Sequence, residues 1–241
     1  MKSESVRIKG NEYSLSGTLI KPENGEKVPA VVFYHGMISQ SKPRYIRRAE
    51  KLARIGIGSL CFDFRGCGES DGKLGKLSLS DWFSDALIAF DYLFKQNFVD
   101  KDRVGIAGKS LGGCMGTLVS DKRNVKSMVL QAPAVYPDEW FNEKYTWGEK
   151  LSKRRLEYRK SKKALDNSTI RAIEKFKNPL LIVGSELDDT CPKKVVEGYF
   201  EKAGSKNKKL EWIKGADHSL KNEIHNQQYI RLMTDWFSKT L

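Results

Sequence analysis

The chain has 241 residues, 39% of them hydrophobic and 10% aromatic, which is enough for one α/β domain with a buried core and excludes a disordered chain. Its net charge of +13 would suit nucleic acid, but no RNA-binding, zinc-finger or helix-turn-helix signature accompanies the charge, so nucleic acid is not expected as a partner. The absence of a long apolar run and of a signal peptide predicts a cytoplasmic protein without a transmembrane segment.

Four cysteines are spaced without a C-x-x-C pair, and only three histidines accompany them. This pattern indicates neither a zinc site nor a disulfide framework. We therefore expect no metal and no cofactor.

The first half of the chain predicts strands alternating with helices. In chain order, the predicted elements are an antiparallel hairpin, a buried strand, a helix and a second buried strand: 6–8 with 13–20, 30–34, 44–55 and 59–64. A helix follows, for which Ser80 is the predicted N-cap. Asp63 and Arg65, at the end of the second buried strand, are expected to form a structural ion pair.

The second half continues the alternation. The predicted elements are a strand, a turn and a helix, then three strands and two helices: 103–120, strands 126–133, 180–183 and 209–213, helix 193–203 and a C-terminal helix. Strands that alternate with helices predict an α/β fold, with a mostly parallel sheet covered by helices on both faces. In such sheets, ligands bind at the carboxyl ends of the strands.

The central motif is Gly108-Lys-Ser110-Leu-Gly112, at the junction of a predicted strand and a predicted helix. This is the G-x-S-x-G arrangement, in which glycines relieve crowding around a serine on a sharp turn. The serine hydroxyl is then exposed beside the free N–H groups of a helix N-terminus. A phosphate-binding P-loop is excluded, because the glycine that it needs five residues before Gly108 is replaced by Arg103.

A serine nucleophile needs a histidine base that is oriented by a carboxylate. Asp188 and His218 follow Ser110 in the expected order, and each lies in a loop after a predicted strand. The candidate triad is therefore Ser110, Asp188 and His218. The rival acids are Asp189 and Asp217, and the other histidines are His35 and His225.

Two backbone N–H groups are expected to stabilise the oxyanion. One belongs to Leu111, directly after the candidate nucleophile, and the other to Met37, after the strand over 30–34. Because both donors are backbone groups, the side-chain type at these positions carries little information.

One long segment, residues 134–177, shows no strand pattern and is predicted to be a helical cap inserted into a hydrolase core formed by 1–133 and 178–241. Within it, the stretch 150–163 holds eight basic residues and one acidic residue. The charge would suit an anionic substrate or an acidic carrier protein, although such a pattern more often indicates a solvated helix face. The two interpretations stay open at this stage.

Five stretches resemble α/β-hydrolases of the monoacylglycerol lipase and cinnamoyl (feruloyl) esterase group, which is also similar to serine aminopeptidases: 34–37, 62–72, 108–113, 188–192 and 215–218. The resemblance implies an eight-stranded sheet with a cap after the sixth strand, together with the triad and the two oxyanion donors named above. Lys109 and Cys67 depart from the family pattern, and Lys109 would place a positive charge near the nucleophile if its side chain points inward.

These residues together predict a serine hydrolase that cleaves a small carboxylic ester through an acyl-enzyme intermediate. A thioesterase, an acyltransferase or a serine peptidase of the same fold remains an alternative. From a different class, a non-catalytic hydrolase-fold receptor would bind a ligand under the cap. The acyl group, the alcohol and the oligomeric state cannot be inferred from the residues.

Overall fold

The computed structural model describes residues 1–23, 27–37, 42–144 and 149–241. Eight strands form one sheet in the order β1-β2-β4-β3-β5-β6-β7-β8. Their bounds are β1 Lys2–Lys9, β2 Ser14–Lys21, β3 Val28–Tyr34, β4 Gly58–Phe62, β5 Val99–Lys109, β6 Ser127–Gln131, β7 Leu180–Ser185 and β8 Lys208–Ile213. β2 pairs antiparallel with β1 and β4, and the pairs from β4 to β8 are parallel. The predicted α/β fold with a mostly parallel eight-stranded sheet is confirmed.

Helices cover both faces of the sheet. Their bounds are α1 Lys42–Arg54, α2 Leu79–Phe94, α3 Leu111–Ser120, α4 Glu149–Lys160, α5 Ser168–Lys175, α6 Lys193–Lys202 and α7 Glu223–Thr240. Apolar residues of α1 and α7 form one core layer, and those of α2, α3, α5 and α6 form the other. Among the described residues, no helix has the length and apolarity that crossing a membrane requires.

The central strands β3, β5, β6 and β7 run parallel to one another and are almost wholly buried towards their carboxyl ends. Continuous apolar runs such as Ala30–Tyr34 and Leu180–Val183 suit this position, because both faces of each strand contact a helical layer. Parallel strands end at one edge of the sheet, and the loops that leave this edge are therefore neighbours.

The start of α2 differs from the prediction. The N-cap is Ser78 and not Ser80, and the Ser78 side chain accepts a hydrogen bond from the Asp81 N–H while the Asp81 carboxylate accepts one from the Ser78 N–H. This reciprocal capping box satisfies two donors at once. Ser80 lacks an acidic residue three positions later, so it could offer only half of the motif.

The predicted ion pair of Asp63 with Arg65 is wrong, because Arg65 pairs with other carboxylates. Arg65 donates from Nε to Asp85 Oδ1 at 2.7 Å, and its Nη2 lies 3.4 Å from Asp81 Oδ1. Both acids belong to α2, so the pair fixes the loop after β4 to that helix. Burial raises the pKa of Asp85 to about 6, against the opposing effect of the Arg65 charge.

The described part of the segment between β6 and β7 contains two helices and two short 3₁₀ turns, at Asp138–Asn142 and Lys162–Leu165. α5 buries Ile170 and Ile173 and packs against α3 and α6. Residues 145–148, within the predicted cap, lie outside the described residues, as does the side chain of Lys150 in the basic stretch.

Candidate active site

The candidate nucleophile lies on a strained turn between β5 and α3. Ser110 has φ 51° and ψ −114°, a conformation that costs free energy for a residue with a Cβ. Its backbone is held from both sides: the N–H donates to the Gln131 carbonyl at 3.0 Å, and the carbonyl accepts from Gly113, Cys114 and Ala134. These four hydrogen bonds hold the strained conformation in place.

The two glycines of the motif are required by close backbone contacts. A Cβ on Gly108 would lie 2.5 Å from the carbonyl oxygen of Gly112. A Cβ on Gly112 would overlap the carbonyl oxygen of Tyr34, at the end of β3. The crowding that the G-x-S-x-G motif predicts is therefore present at both positions.

The structure brings Asp188 and His218 together at the carboxyl ends of β7 and β8. His218 Nδ1 donates to Asp188 Oδ2 at 2.7 Å. The other carboxylate oxygen, Asp188 Oδ1, accepts from the backbone N–H groups of Thr190 at 2.8 Å and Cys191 at 2.7 Å. The side chain of Asp188 is only 3% exposed, so both of its oxygens are used within the loop.

The loop that carries His218 is fixed by two residues that the sequence analysis did not identify. Arg44 of α1 donates to the carbonyls of Ser219 at 2.6 Å and Leu220 at 2.8 Å. Gln131, at the end of β6, donates to the His218 carbonyl at 3.2 Å. Both contacts join positions that are far apart in the chain, so a local sequence pattern does not predict them.

Ser110 and His218 line the same cavity, of about 250 Å³. Within the described part of the chain, the geometry of a hydrogen bond between the Ser110 hydroxyl and the His218 ring is not met. Such bonds are often long or poorly aligned before substrate binds, and they tighten in the complex. The site thus has a formed Asp–His pair and an adjacent serine.

The two predicted oxyanion donors flank the nucleophile. Leu111 opens α3, and Met37 follows β3 and lines the cavity. Neither N–H donates to an acceptor among the residues that the structure describes. A Cβ on Gly36 would lie 3.5 Å from the Ser110 Cβ, so the loop after β3 passes directly beside the serine. Both N–H groups are therefore available to a ligand at this position.

The rival acids and one rival histidine are not part of the hydrogen-bonded pair. Asp189 is exposed and accepts from the Thr190 hydroxyl, while Asp217 accepts from the Lys221 N–H. His225 lies in the first turns of α7. None of the three is hydrogen-bonded to the Asp188–His218 pair.

His35 has a structural role instead. Its Nδ1 donates to the Gly36 carbonyl at 2.6 Å, and its Nε2 accepts from the Phe64 N–H at 2.9 Å. Burial lowers the pKa of this imidazole to about 4. A neutral His35 therefore connects the loops after β3 and β4 beneath the site.

Among the described residues, three cations line the cavity: Lys109, Arg155 and Arg159. Lys109, which departs from the family pattern, points inward and is only 7% exposed. Its positive charge therefore lies near the candidate nucleophile. Arg155 and Arg159 belong to the basic stretch 150–163, and their spacing of four residues places them on one face of α4. The described residues include no group of three or more His, Cys, Asp or Glu side chains arranged for a metal ion.

Comparison with known proteins agrees with the fold. The structure of Est1E from Butyrivibrio proteoclasticus with bound ferulic acid superimposes with a TM-score of 0.77, at 25% identity over 97% of this chain and 99% of that chain. An esterase from Thermogutta terrifontis, Est2, gives a TM-score of 0.75 at 20% identity, over 98% of this chain and 92% of that chain. The resemblance to α/β-hydrolases of the feruloyl esterase group is confirmed.

Among curated sequences, an uncharacterised 31.7 kDa protein from Escherichia coli is 32% identical over 112 residues, which are 46% of this chain. The match spans 39% of that relative's length. The sequence profile of the prolyl oligopeptidase family matches residues 48–241, which contain the serine elbow and the Asp–His pair. The chain therefore belongs to the prolyl oligopeptidase family and, with it, to the α/β-hydrolase superfamily of serine hydrolases.

Proposed function

We propose that the protein hydrolyses carboxylic esters through the triad Ser110, His218 and Asp188. The observation that carries the proposal is the 2.7 Å hydrogen bond between His218 Nδ1 and Asp188, beside a serine held at positive φ on the wall of the same cavity. A strained serine next to a carboxylate-oriented imidazole is the arrangement that nucleophilic acyl transfer requires.

In the first half of the reaction, Ser110 Oγ attacks the ester carbonyl carbon while His218 Nε2 takes the hydroxyl proton. Asp188 holds the tautomer in which Nδ1 carries hydrogen and stabilises the imidazolium. The N–H groups of Met37 and Leu111 donate to the oxyanion of the tetrahedral intermediate. The intermediate then breaks its carbon–oxygen bond to the alcohol, which leaves with the proton from His218.

In the second half, water attacks the acyl–serine ester. His218 takes a proton from the water and returns a proton to Ser110 Oγ as the acyl–oxygen bond breaks. The products are one carboxylic acid and one alcohol for each water consumed. The buried carboxylate of Asp188 keeps the imidazole in one orientation through both halves.

An ester substrate is supported by the structural neighbours. Est1E was solved with ferulic acid, and the Thermogutta protein is described as an esterase. We also propose that residues 134–177 form a cap over the site. Its helix α4 supplies two arginines to the cavity wall, whereas its helix α5 packs on α3.

A serine peptidase is the second candidate, because the matching family is that of prolyl oligopeptidase. The cations of the cavity wall argue against it, since they would repel the ammonium group of a peptide N-terminus. Parallel assays of a 4-nitrophenyl ester and a 4-nitroanilide with the same acyl group separate the two activities. A peptidase would cleave the anilide at a comparable rate.

The test of the proposed function is turnover of 4-nitrophenyl butyrate by the wild type and by Ser110→Ala. The alanine variant is expected to lose the activity while circular dichroism stays unchanged. Ser84→Ala, at an exposed position of α2, is the matched control and should retain full turnover. Activity that survives in Ser110→Ala, or its absence from the wild type, would overturn the proposal.

A further inference from the structure

The basic residues of α4 divide into two groups. Lys160 is exposed on the outer side of the helix, whereas Arg159 is only 2% exposed and Arg155 is half-buried. Arg155 and Arg159 line the cavity that contains Ser110, together with Lys109 from the end of β5. The charge of α4 is therefore not confined to a solvated face.

Of the three cations, Lys109 gives the strongest indication that the cavity binds an anion. Its stem passes beside Gly36, and its side chain is 7% exposed. Within the described ranges it has neither an ion pair nor a side-chain hydrogen bond. Burial, reinforced by the positive charges of Arg48 and Arg44 and opposed by the carboxylates of Asp188 and Asp217, lowers the pKa of this ammonium to about 8. A buried ammonium without a direct ion-pair partner is costly, and an anion bound in the cavity would stabilise it.

Each of the two arginines donates a hydrogen bond to a neighbouring group at the cavity wall. Arg155 Nη1 donates to Met37 Sδ at 3.2 Å, and its Nη2 donates to Ser152 Oγ at 3.1 Å. Arg159 Nη1 donates to the Thr190 carbonyl at 3.0 Å. These contacts hold the guanidinium groups at the cavity wall, where a positive charge attracts an anionic group of a ligand.

No Asp or Glu occurs among the described residues that line the cavity. The nearby Asp188 carboxylate is occupied by His218 and by two backbone N–H groups. We propose that this cavity selects small esters that carry a carboxylate on the acyl or the alcohol part, with Lys109, Arg155 and Arg159 as the specificity-determining cations. The inference rests on the proposed ester hydrolysis and names its substrate class.

The size of the cavity restricts the ligand. About 250 Å³ lies below the 300–1,000 Å³ of pockets that hold drug-sized molecules. A short dicarboxylic acid esterified at one end suits this volume, as does a small carboxylated alcohol or phenol. A large acidic carrier protein would contact α4 only from outside.

The experiment compares matched pairs of substrates that differ by one negative charge. The acyl pair is the mono-4-nitrophenyl ester of adipic acid and its methyl ester at the distal carboxyl group. The alcohol pair is 4-acetoxybenzoate and its methyl ester. We expect the wild type to favour the carboxylate in one pair by at least tenfold in kcat/KM, and the favoured pair identifies the side that faces the cations.

Single substitutions then identify the residues that cause the preference for the charged ester. Lys109→Met and Arg155→Gln are each expected to lower the ratio of charged to neutral kcat/KM by about fivefold or more. Lys160→Met, on the outer side of the same helix, should leave the ratio at its wild-type value. Using a ratio separates charge recognition from damage to folding or to the triad, because such damage lowers both members of a pair equally.

Two results would overturn the inference. One is a ratio near one, or a preference for the neutral ester, in both pairs. The other is an equal loss on both members of the favoured pair in the Lys109 and Arg155 variants. In both cases continued hydrolysis of the neutral esters would leave the proposed function intact, whereas a wild type without any Ser110-dependent turnover would contradict the proposed function itself.

Discussion

Acidification should destabilise the fold through His35. The buried ring is neutral, with Nδ1–H donating to the Gly36 carbonyl and Nε2 accepting from the Phe64 N–H. A proton on Nε2 would place two N–H groups against each other and break the link between the loops after β3 and β4. Burial accordingly lowers the pKa of His35 from 6.5 to about 4.

The magnitude follows from the difference between the folded and unfolded states. The unfolded chain takes up a proton at the ordinary pKa of 6.5, and the folded protein does so only near pH 4. Between these values the unfolded state binds more protons, so the free energy of unfolding falls as the pH is lowered. At about 1.4 kcal/mol per pH unit, the loss over the window is about 3 kcal/mol, and no effect remains above pH 6.5.

Urea denaturation of the wild type and of His35→Gln, at pH values from 7 to 4, measures this contribution. The glutamine can still accept from the Phe64 N–H but does not titrate, and every other acid titrates equally in the two proteins. We expect the wild type to lose about 3 kcal/mol more than the variant over this range. Equal losses would refute the reasoning, as would a wild-type His35 ring that titrates near pH 6.5 by NMR.

Three further predictions concern the site and its supports. Asp188→Asn should lower kcat for 4-nitrophenyl butyrate by about 10⁴-fold with the fold intact, and a loss below tenfold would contradict its role. Gly112→Ala should destabilise by at least about 2 kcal/mol, because the new methyl group overlaps the Tyr34 carbonyl; an unchanged Tm would disprove this contact. Arg65→Leu should cost about 3–5 kcal/mol by leaving Asp85 buried and unpaired, and Arg65→Leu combined with Asp85→Leu should recover part of it in thermal unfolding.

Local patterns were sufficient to predict the sheet and to choose the residues of the candidate triad. Apolar runs define the central strands, and the crowding of Gly108 and Gly112 is a property of the turn itself. The loops of parallel strands meet at one edge, and Ser110, Asp188 and His218 each follow such a strand, so their proximity could be expected from the strand assignment. A local signal also existed for the cap of α2, since Ser78 is followed three residues later by an acid and Ser80 is not.

Contacts between distant segments could not be predicted. Arg65 pairs with Asp85 across a loop and a helical turn, and Arg44 reaches the loop after β8 from α1. Likewise, the basic stretch indicated charge but not which of its residues face the core. That choice depends on how α4 lies over the sheet, which places Arg159 inside and Lys160 outside.

Covalent labelling tests most directly whether Ser110 is an activated nucleophile. The protein is incubated with a fluorophosphonate, its intact mass is measured, and the modified peptide is located by tandem mass spectrometry. We expect one phosphonyl adduct on Ser110 in the wild type and no adduct in Ser110→Ala. A wild type that stays unmodified, or an adduct on another residue that persists in Ser110→Ala, would contradict this role of Ser110.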